Sequence, residues 1–271
     1  MIQKKSGATY KLMVLMDLSK ASETALKNTI ALSKAIDGSI EVFHVKAPTD
    51  VVKSENQLSA IRVIHEDKRN TKSKLEKLIS TTSDLEGVPI EYKMSYGNIK
   101  STIKNHIDKI KPDIVVLGKE KPKLINFLSD DLIGFLLNET DCHLFITGDN
   151  NTLYTNKDIS LGIYGNLAEA NEHDMIDSLK KLTTQRIKHF SVRGAQEESQ
   201  KEKIKEGNEI SYVFSEGSNA IDGLATYIEK TRTQLLCITK KQSNDNLFQS
   251  GTWASVKPLL RKLKIPILIL R

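Results

Sequence analysis

The sequence predicts an α/β protein built from two tandem, doubly wound parallel sheets of five strands each. Three observations predict it. Apolar runs of strand length alternate with amphipathic stretches of helical spacing. The order of elements in the first half returns in the second. A polar, turn-rich stretch, GDNNTLYTNK (148–157), lies between the two. The first unit is accordingly placed at residues 1–149, and a shorter, more degenerate second unit at 155–271.

The first half opens with a strand, KLMVLMD (11–17). A helix follows over 19–36, with Ala25, Leu26, Ile30, Leu32 and Ile36 on one stripe, Ser19 as its N-cap and Asp37-Gly38 as its stop. A second strand is expected at 39–48. The charged segment 54–80 reads as mostly helical, with Ile61, Ile64, Leu75, Leu78 and Ile79 as its apolar face. A third strand (90–97) leads into a helix at 98–111, and a fourth strand, DIVVLG (113–118), is followed by a helix over 130–140. The strand HLFITG (143–148) closes the unit. Strictly alternating strands and helices call for parallel pairing with helical crossovers.

In the second half DISLGIYG (158–165) answers KLMVLMD, a helix at 167–183 answers 19–36, and RIKHFSVRG (186–194) answers the second strand. Phe190-Ser191-Val192 lies against Phe43-His44-Val45. Residues 209–239 answer 90–118, with Leu224, Ile228 and Leu235 meeting Ile103, Ile107 and Ile114, and 256–270 answers 132–146. The copy is one helix shorter, because AQEESQKEKIKEGN (195–208) stands where the first half has 54–80.

Composition excludes several classes. The 271 residues are 39% hydrophobic and 27% charged, as in ordinary globular proteins. No apolar run reaches the roughly 18–20 residues of a membrane span, and the stretch Leu12–Met16 is too short for a signal peptide; no membrane association and a cytoplasmic address are expected. The net charge of +6 is spread along the chain rather than gathered in one arm, so nucleic acid is not an expected partner. Cys142 and Cys237 sit in or beside apolar runs as small buried side chains. The six histidines show no metal-ligand spacing, so no metal is expected.

The segment VVLGKEKPKLINFLSDDLIGFLL (115–137) has the layout of a phosphate loop between a strand and a helix: one glycine, a basic loop, then two aspartates. Catalytic patterns are missing. Lys-Met-Ser (93–95) lies within a strand and has no H-x-G-H partner, and no Ser-His-Asp order, carboxylate dyad or G-x-x-x-x-G-K-(S/T) loop occurs. No catalytic residue is expected.

The opening MVLMDLSKASETALKNTIALSKAI, the later HV, the YGN before a helix and DIVVLG together resemble the universal stress protein family. The resemblance runs through both halves, and its motifs are eroded in the second. It implies a Rossmann-like fold of the adenine nucleotide alpha-hydrolase-like type, two units packed as a pseudo-dimer through their last strands, and a role in the stress response. It further implies a homodimer and protein partners in stress signalling.

Many members bind ATP through G-x2-G-x9-G-(S/T) after the fourth strand, whose glycines let backbone N–H groups reach phosphates at a helix start. The resemblance assigns Asp17 and Val45 to the adenosine and Leu117, Gly118, Lys119 and Lys121 to the loop. Lys121 stands where a second glycine belongs, and Asp130-Asp131 or Asp131-Leu132 where the G-(S/T) pair belongs. A carboxylate there repels a triphosphate by roughly 1 kcal/mol per charge pair in water and more when desolvated. Ser129 and Asp130 are expected to cap the helix instead. In the second half Gly165 lies near the aspartate position and Thr239 replaces the opening glycine; Lys240, Gly251 and Thr252 form a remnant phosphate position, or a helix start with Trp253 covering an interface. The expectation is a non-catalytic stress-response protein with degenerate loops and no bound cofactor. The alternative is an ATP-binding switch using the first-half crevice, and a hydrolase or transferase lacks the residues it needs.

Overall fold

The computed structural model describes residues 10–47, 57–119, 127–148, 153, 158–165, 174–193, 209–217, 219–239 and 252–271; the side chains of 57–61, 127–130, 193 and 252–255 lie outside the description. Ten strands form one continuous sheet. The first five are β1 (Tyr10–Leu15), β2 (Gly38–Lys46), β3 (Ile90–Tyr96), β4 (Ile114–Lys119) and β5 (His143–Gly148). The second five are β6 (Leu161–Tyr164), β7 (Ile187–Arg193), β8 (Glu209–Ser215), β9 (Leu235–Thr239) and β10 (Ile267–Leu270). Their order is β3-β2-β1-β4-β5-β10-β9-β6-β7-β8.

Within each half all pairings are parallel. The halves meet where β5 and β10 run antiparallel, with Ile267 opposite Ile146, Leu268 opposite Phe145 and Ile269 opposite Leu144. This is the expected pseudo-dimer through the last strands. Central strands such as β4 are apolar on both faces because helices cover both, as parallel crossovers require.

Seven helices are described: α1 (Lys20–Ile36), α2 (Gln57–Glu86), α3 (Ile99–Ile110), α4 (Phe127–Glu139), α5 (Asp174–Lys180), α6 (Ala220–Lys230) and α7 (Thr252–Lys262). Right-handed crossovers put α1 and α2 on one face of the first half and α3 and α4 on the other. Each face carries one core that runs through both halves. Leu12, Val14, Leu26, Leu75, Phe145, Ile163, Ile176 and Leu268 belong to one. Met13, Phe43, Ile107, Leu136, Phe190, Leu224, Leu259 and Ile269 belong to the other. Fully burying one such side chain is worth about 1.5–3 kcal/mol, so the shared cores help to hold the halves together as well as to fold each one.

Local signals explain the element ends. Ser19 caps α1 by accepting from the N–H of Ser22, and Asp37 ends the helix with a φ of 56° while its N–H donates to the carbonyl of Ser33. Gly38 follows because a side chain there would strike Leu12. Asn98 caps α3 through the N–H of Ser101.

Four expectations need correction. Helix α2 runs on to Glu86 rather than ending near 80, because its stripe continues until Gly87, at a φ of 64°, breaks it. Helix α4 begins at Phe127, so Ser129 and Asp130 stand inside its first turn and not ahead of it as caps. The described helix answering α1 is only Asp174–Lys180; residues 181–182 turn, the Asp158 carboxylate accepts from Thr183, Thr184 and Gln185, and 166–173 lie outside the described residues. Finally, β6 is shorter than 158–165. Among the described residues no helix is long and apolar enough to cross a membrane, and no group of three or more His, Cys, Asp or Glu is placed to hold a metal ion.

The strand faces of the second half have changed along with its shortened connection. Register places His189 where the first half has Val42, and Ser211 where it has Tyr92. In the first half Val42 and Tyr92 pack into the core that α2 covers, whereas Ser211 is exposed. A polar strand face suits the lack of a 30-residue helix between β7 and β8.

Candidate functional site

In a doubly wound sheet the ligand crevice opens at the carboxyl ends of the strands, where the strand order reverses. In the first half that point lies between β1 and β4. Residues 16–19 leave β1 there, and Gly118 and Lys119 end β4 beside them.

Asp17 is exposed at this edge. Its Oδ1 accepts the N–H of Ser19 at 2.9 Å, closing a tight turn in which Leu18 takes a φ of 64°. Partial enclosure works against its charged form, but the hydroxyls of Ser19 and Ser22 and the Ser19 N–H outweigh it and hold the carboxyl below its ordinary range. The carboxylate is therefore ionised and already engaged with the first turn of α1.

Gly118 faces α1 directly. A Cβ at this position would lie 2.3 Å from the backbone of Ala21 and 2.6 Å from the N–H nitrogen of Ser22. The glycine thus serves the packing of the α1 start onto β4. Leu117, one residue earlier, points the other way into the second core, and Val45 packs partly against that same core. Lys119 is half-buried and pairs in register with Gly148. Lys121 lies outside the described residues.

Asp131 stands exposed in the first two turns of α4. Its Oδ2 lies 2.5 Å from Nζ of Lys100, in the first turn of α3, and that ammonium also sits 5.6 Å from the ring centre of Phe135. Both helices start from the carboxyl edge of the sheet, so the ion pair joins them at the mouth of the crevice. Sequence reasoning found Asp131 but missed Lys100, 31 residues away, because nothing local announces the contact.

His44 was also missed as a polar group of this edge. It is 4% exposed, and its Nδ1 lies 2.7 Å from the carbonyl oxygen of Met16. A carbonyl can only accept, so Nδ1 carries the proton and Nε2 keeps a lone pair. That Nε2 is buried with no hydrogen-bond partner among the described residues. Burial pushes the imidazole pKa below its ordinary value and Lys46 adds to this, against the Met16 carbonyl and the charges of Asp17 and Asp67.

The second-half crevice is built differently. Met16 donates its N–H to the carbonyl of Phe43, and Gly165 donates its N–H to that of Phe190, so Gly165 corresponds to Met16 and not to Asp17. Thr239 does stand at the Gly118 position. It is fully buried, and a Cβ on Gly165, whose φ is 130°, would come within 2.2 Å of its hydroxyl. Helix α7 starts at Thr252, in keeping with a Gly-Thr helix start. Lys240 and Gly251 and the side chain of Thr252 lie outside the described residues, as does that of Trp253.

These features define a tandem, doubly wound α/β protein with a polar crevice at one switch point. The chain belongs to the universal stress protein family, whose family model matches residues 9–147. Its fold is similar along nearly its whole length to a universal stress protein from Archaeoglobus fulgidus, at 12% identity and a TM-score of 0.68, covering 96% of this chain and 98% of that one. A protein of unknown function from Pseudomonas aeruginosa, 12% identical, covers 96% of this chain and 92% of its own with a TM-score of 0.55. A family member from Arabidopsis thaliana with AMP bound is 20% identical over 52% of this chain and 92% of its own, with a TM-score of 0.36. No curated protein matches the sequence.

Proposed function

We propose that this chain is a cytoplasmic, non-catalytic stress-response protein that works by protein contacts, with the phosphate position of its first half closed. The Lys100–Asp131 ion pair carries the reading. It sets a carboxylate close behind the first turn of α4, near the N–H donors a phosphate would need, and it engages the Lys100 ammonium. Asp17, the residue assigned to the nucleoside, is engaged with its own turn, and Gly118 packs against α1. The second half supports the same reading, because Thr239 fills the space over Gly165. The two units divide within 149–155, ahead of β6.

Calorimetric titration with ATP-Mg tests this. No heat at millimolar nucleotide is expected. The alternative is an adenine-nucleotide switch in the first-half crevice, favoured by the exposed, ionised Asp17 beside Gly118 and Lys119. It predicts saturable binding of one nucleotide per chain, lost on Asp17→Ala.

A further inference from the structure

Two strands bound the ten-stranded sheet, β3 and β8. An edge strand presents unpaired N–H and C=O groups, and proteins guard such edges with lysine, other charges or proline. Strand β3, IEYKMSY, carries Glu91 and Lys93. Strand β8, EISYVFS, has one charge, Glu209 at its first residue, and neither lysine, arginine nor proline. Among the described residues no strand pairs with its outer side.

The flanks of β8 are apolar as well. Four large apolar side chains stand exposed among the described residues, and two of them, Val213 and Tyr227, belong to this edge. Val213 is 54% exposed on one face. On the other, Tyr227 of α6 is 41% exposed, its ring centre 5.0 Å from that of Tyr212 and 5.9 Å from that of Phe214. Aromatic side chains of this kind favour interfaces. Meanwhile β5 and β10, the last strands of the two halves, are already paired with each other inside the chain and are closed to a second copy.

We propose that β8 is a homodimer interface, at which a second copy of this chain adds its own β8 antiparallel about a two-fold axis through Tyr212. Tyr212 is the midpoint of the seven-residue strand, so this register pairs every residue. Tyr212 faces the partner's Tyr212, and Ile210 faces the partner's Phe214, on the side where Tyr227 extends the aromatic cluster. Ser211 faces the partner's Val213, and Glu209 faces the partner's Ser215, so no like charges oppose. The same operation on β3 centres on Lys93 and sets it against its own copy, which disfavours that edge. The two edges thus differ in what a two-fold axis does to them, and that difference selects β8.

Sedimentation velocity at micromolar concentration reads the outcome, with two charge variants to fix the register. The wild type is expected to run with the mass of two chains. Ser211→Lys with Val213→Lys sets lysine against lysine across the axis and should give monomers. Ser211→Lys with Val213→Glu sets opposite charges across it and should keep the dimer. Ser211 and Val213 are exposed, so circular dichroism should show both variants folded. As a measurement free of mutation, amide exchange of the wild type should slow over 209–215 as concentration rises. A monomeric wild type, a double-lysine variant that stays dimeric, two variants that behave alike, or exchange at 209–215 independent of concentration would each overturn the proposal.

Discussion

Nζ of Lys100 and Oδ2 of Asp131 lie 2.5 Å apart, joining the first turn of α3 to the second turn of α4 at the mouth of the first-half crevice. Both side chains are well exposed, 39% and 59%, so solvent screens the pair. Lys100→Ala is therefore expected to change unfolding free energy by less than about 1 kcal/mol in urea denaturation. A loss of several times that would mean the pair is structural rather than a feature of the crevice.

Stability should fall on mild acidification through His44. Its folded-state pKa lies below the ordinary 6.5, because burial and Lys46 disfavour the charged ring. The unfolded chain then binds the proton more readily, so the stabilisation is fully present above about pH 6.5 and is lost as pH drops towards the folded value. Urea midpoints of the wild type should drop from pH 7.5 to pH 5, in part through this residue. His44→Gln should flatten that part of the profile, and an unchanged slope would contradict the assignment.

The joint between the halves makes its own prediction. Asn28 of α1 is fully buried, and its Oδ1 accepts the N–H of Leu153 at 2.6 Å. Asn28→Ala leaves that buried N–H without its acceptor, at a cost of about 1–3 kcal/mol. Asn28→Asp keeps an acceptor and should lose stability through charge burial instead, with a loss that shrinks as pH falls. Guanidinium denaturation of the three proteins separates these effects.

Gly118→Ala should destabilise the first half by about 1–3 kcal/mol or more, because the added carbon meets the Ala21 backbone, which has no rotamer to move aside. Gly217→Ala, where a Cβ meets nothing, is the control and should stay near the wild type. Thermal denaturation compares them.

Much of the fold was legible because it is written in local periodicity. Strands such as Ile114–Lys119 are short apolar runs, α1 has an apolar stripe with a serine before it and Asp37-Gly38 after it, and the whole order is written twice. The correspondence of Leu235 with Ile114 and of Phe190 with Phe43 holds in the observed register. Errors arose where a choice depended on distant residues. Capping chemistry favours a start of α4 at the aspartates, yet the helix begins further back, at Phe127. Gly165 does lie near the aspartate position, and its backbone pairing with Phe190 places it one residue before.

The crevice was legible only in part, for the same reason. Asp17 and Gly118 announce themselves by their place at strand ends, but their partners do not. The contact of Gly118 with Ala21 spans nearly a hundred residues, and the Lys100–Asp131 pair forms only once α3 and α4 share a face. The unguarded edge of β8 likewise exists only in the strand order, since EISYVFS in a central strand would need no guarding.

Denaturing mass spectrometry of freshly purified protein, searching for released ATP, ADP or AMP, tests the central claim most directly. The closed phosphate position predicts that no nucleotide is released. One adenine nucleotide per chain, absent from the Asp17→Ala variant, would contradict it and make the first-half crevice a nucleotide site despite Asp131.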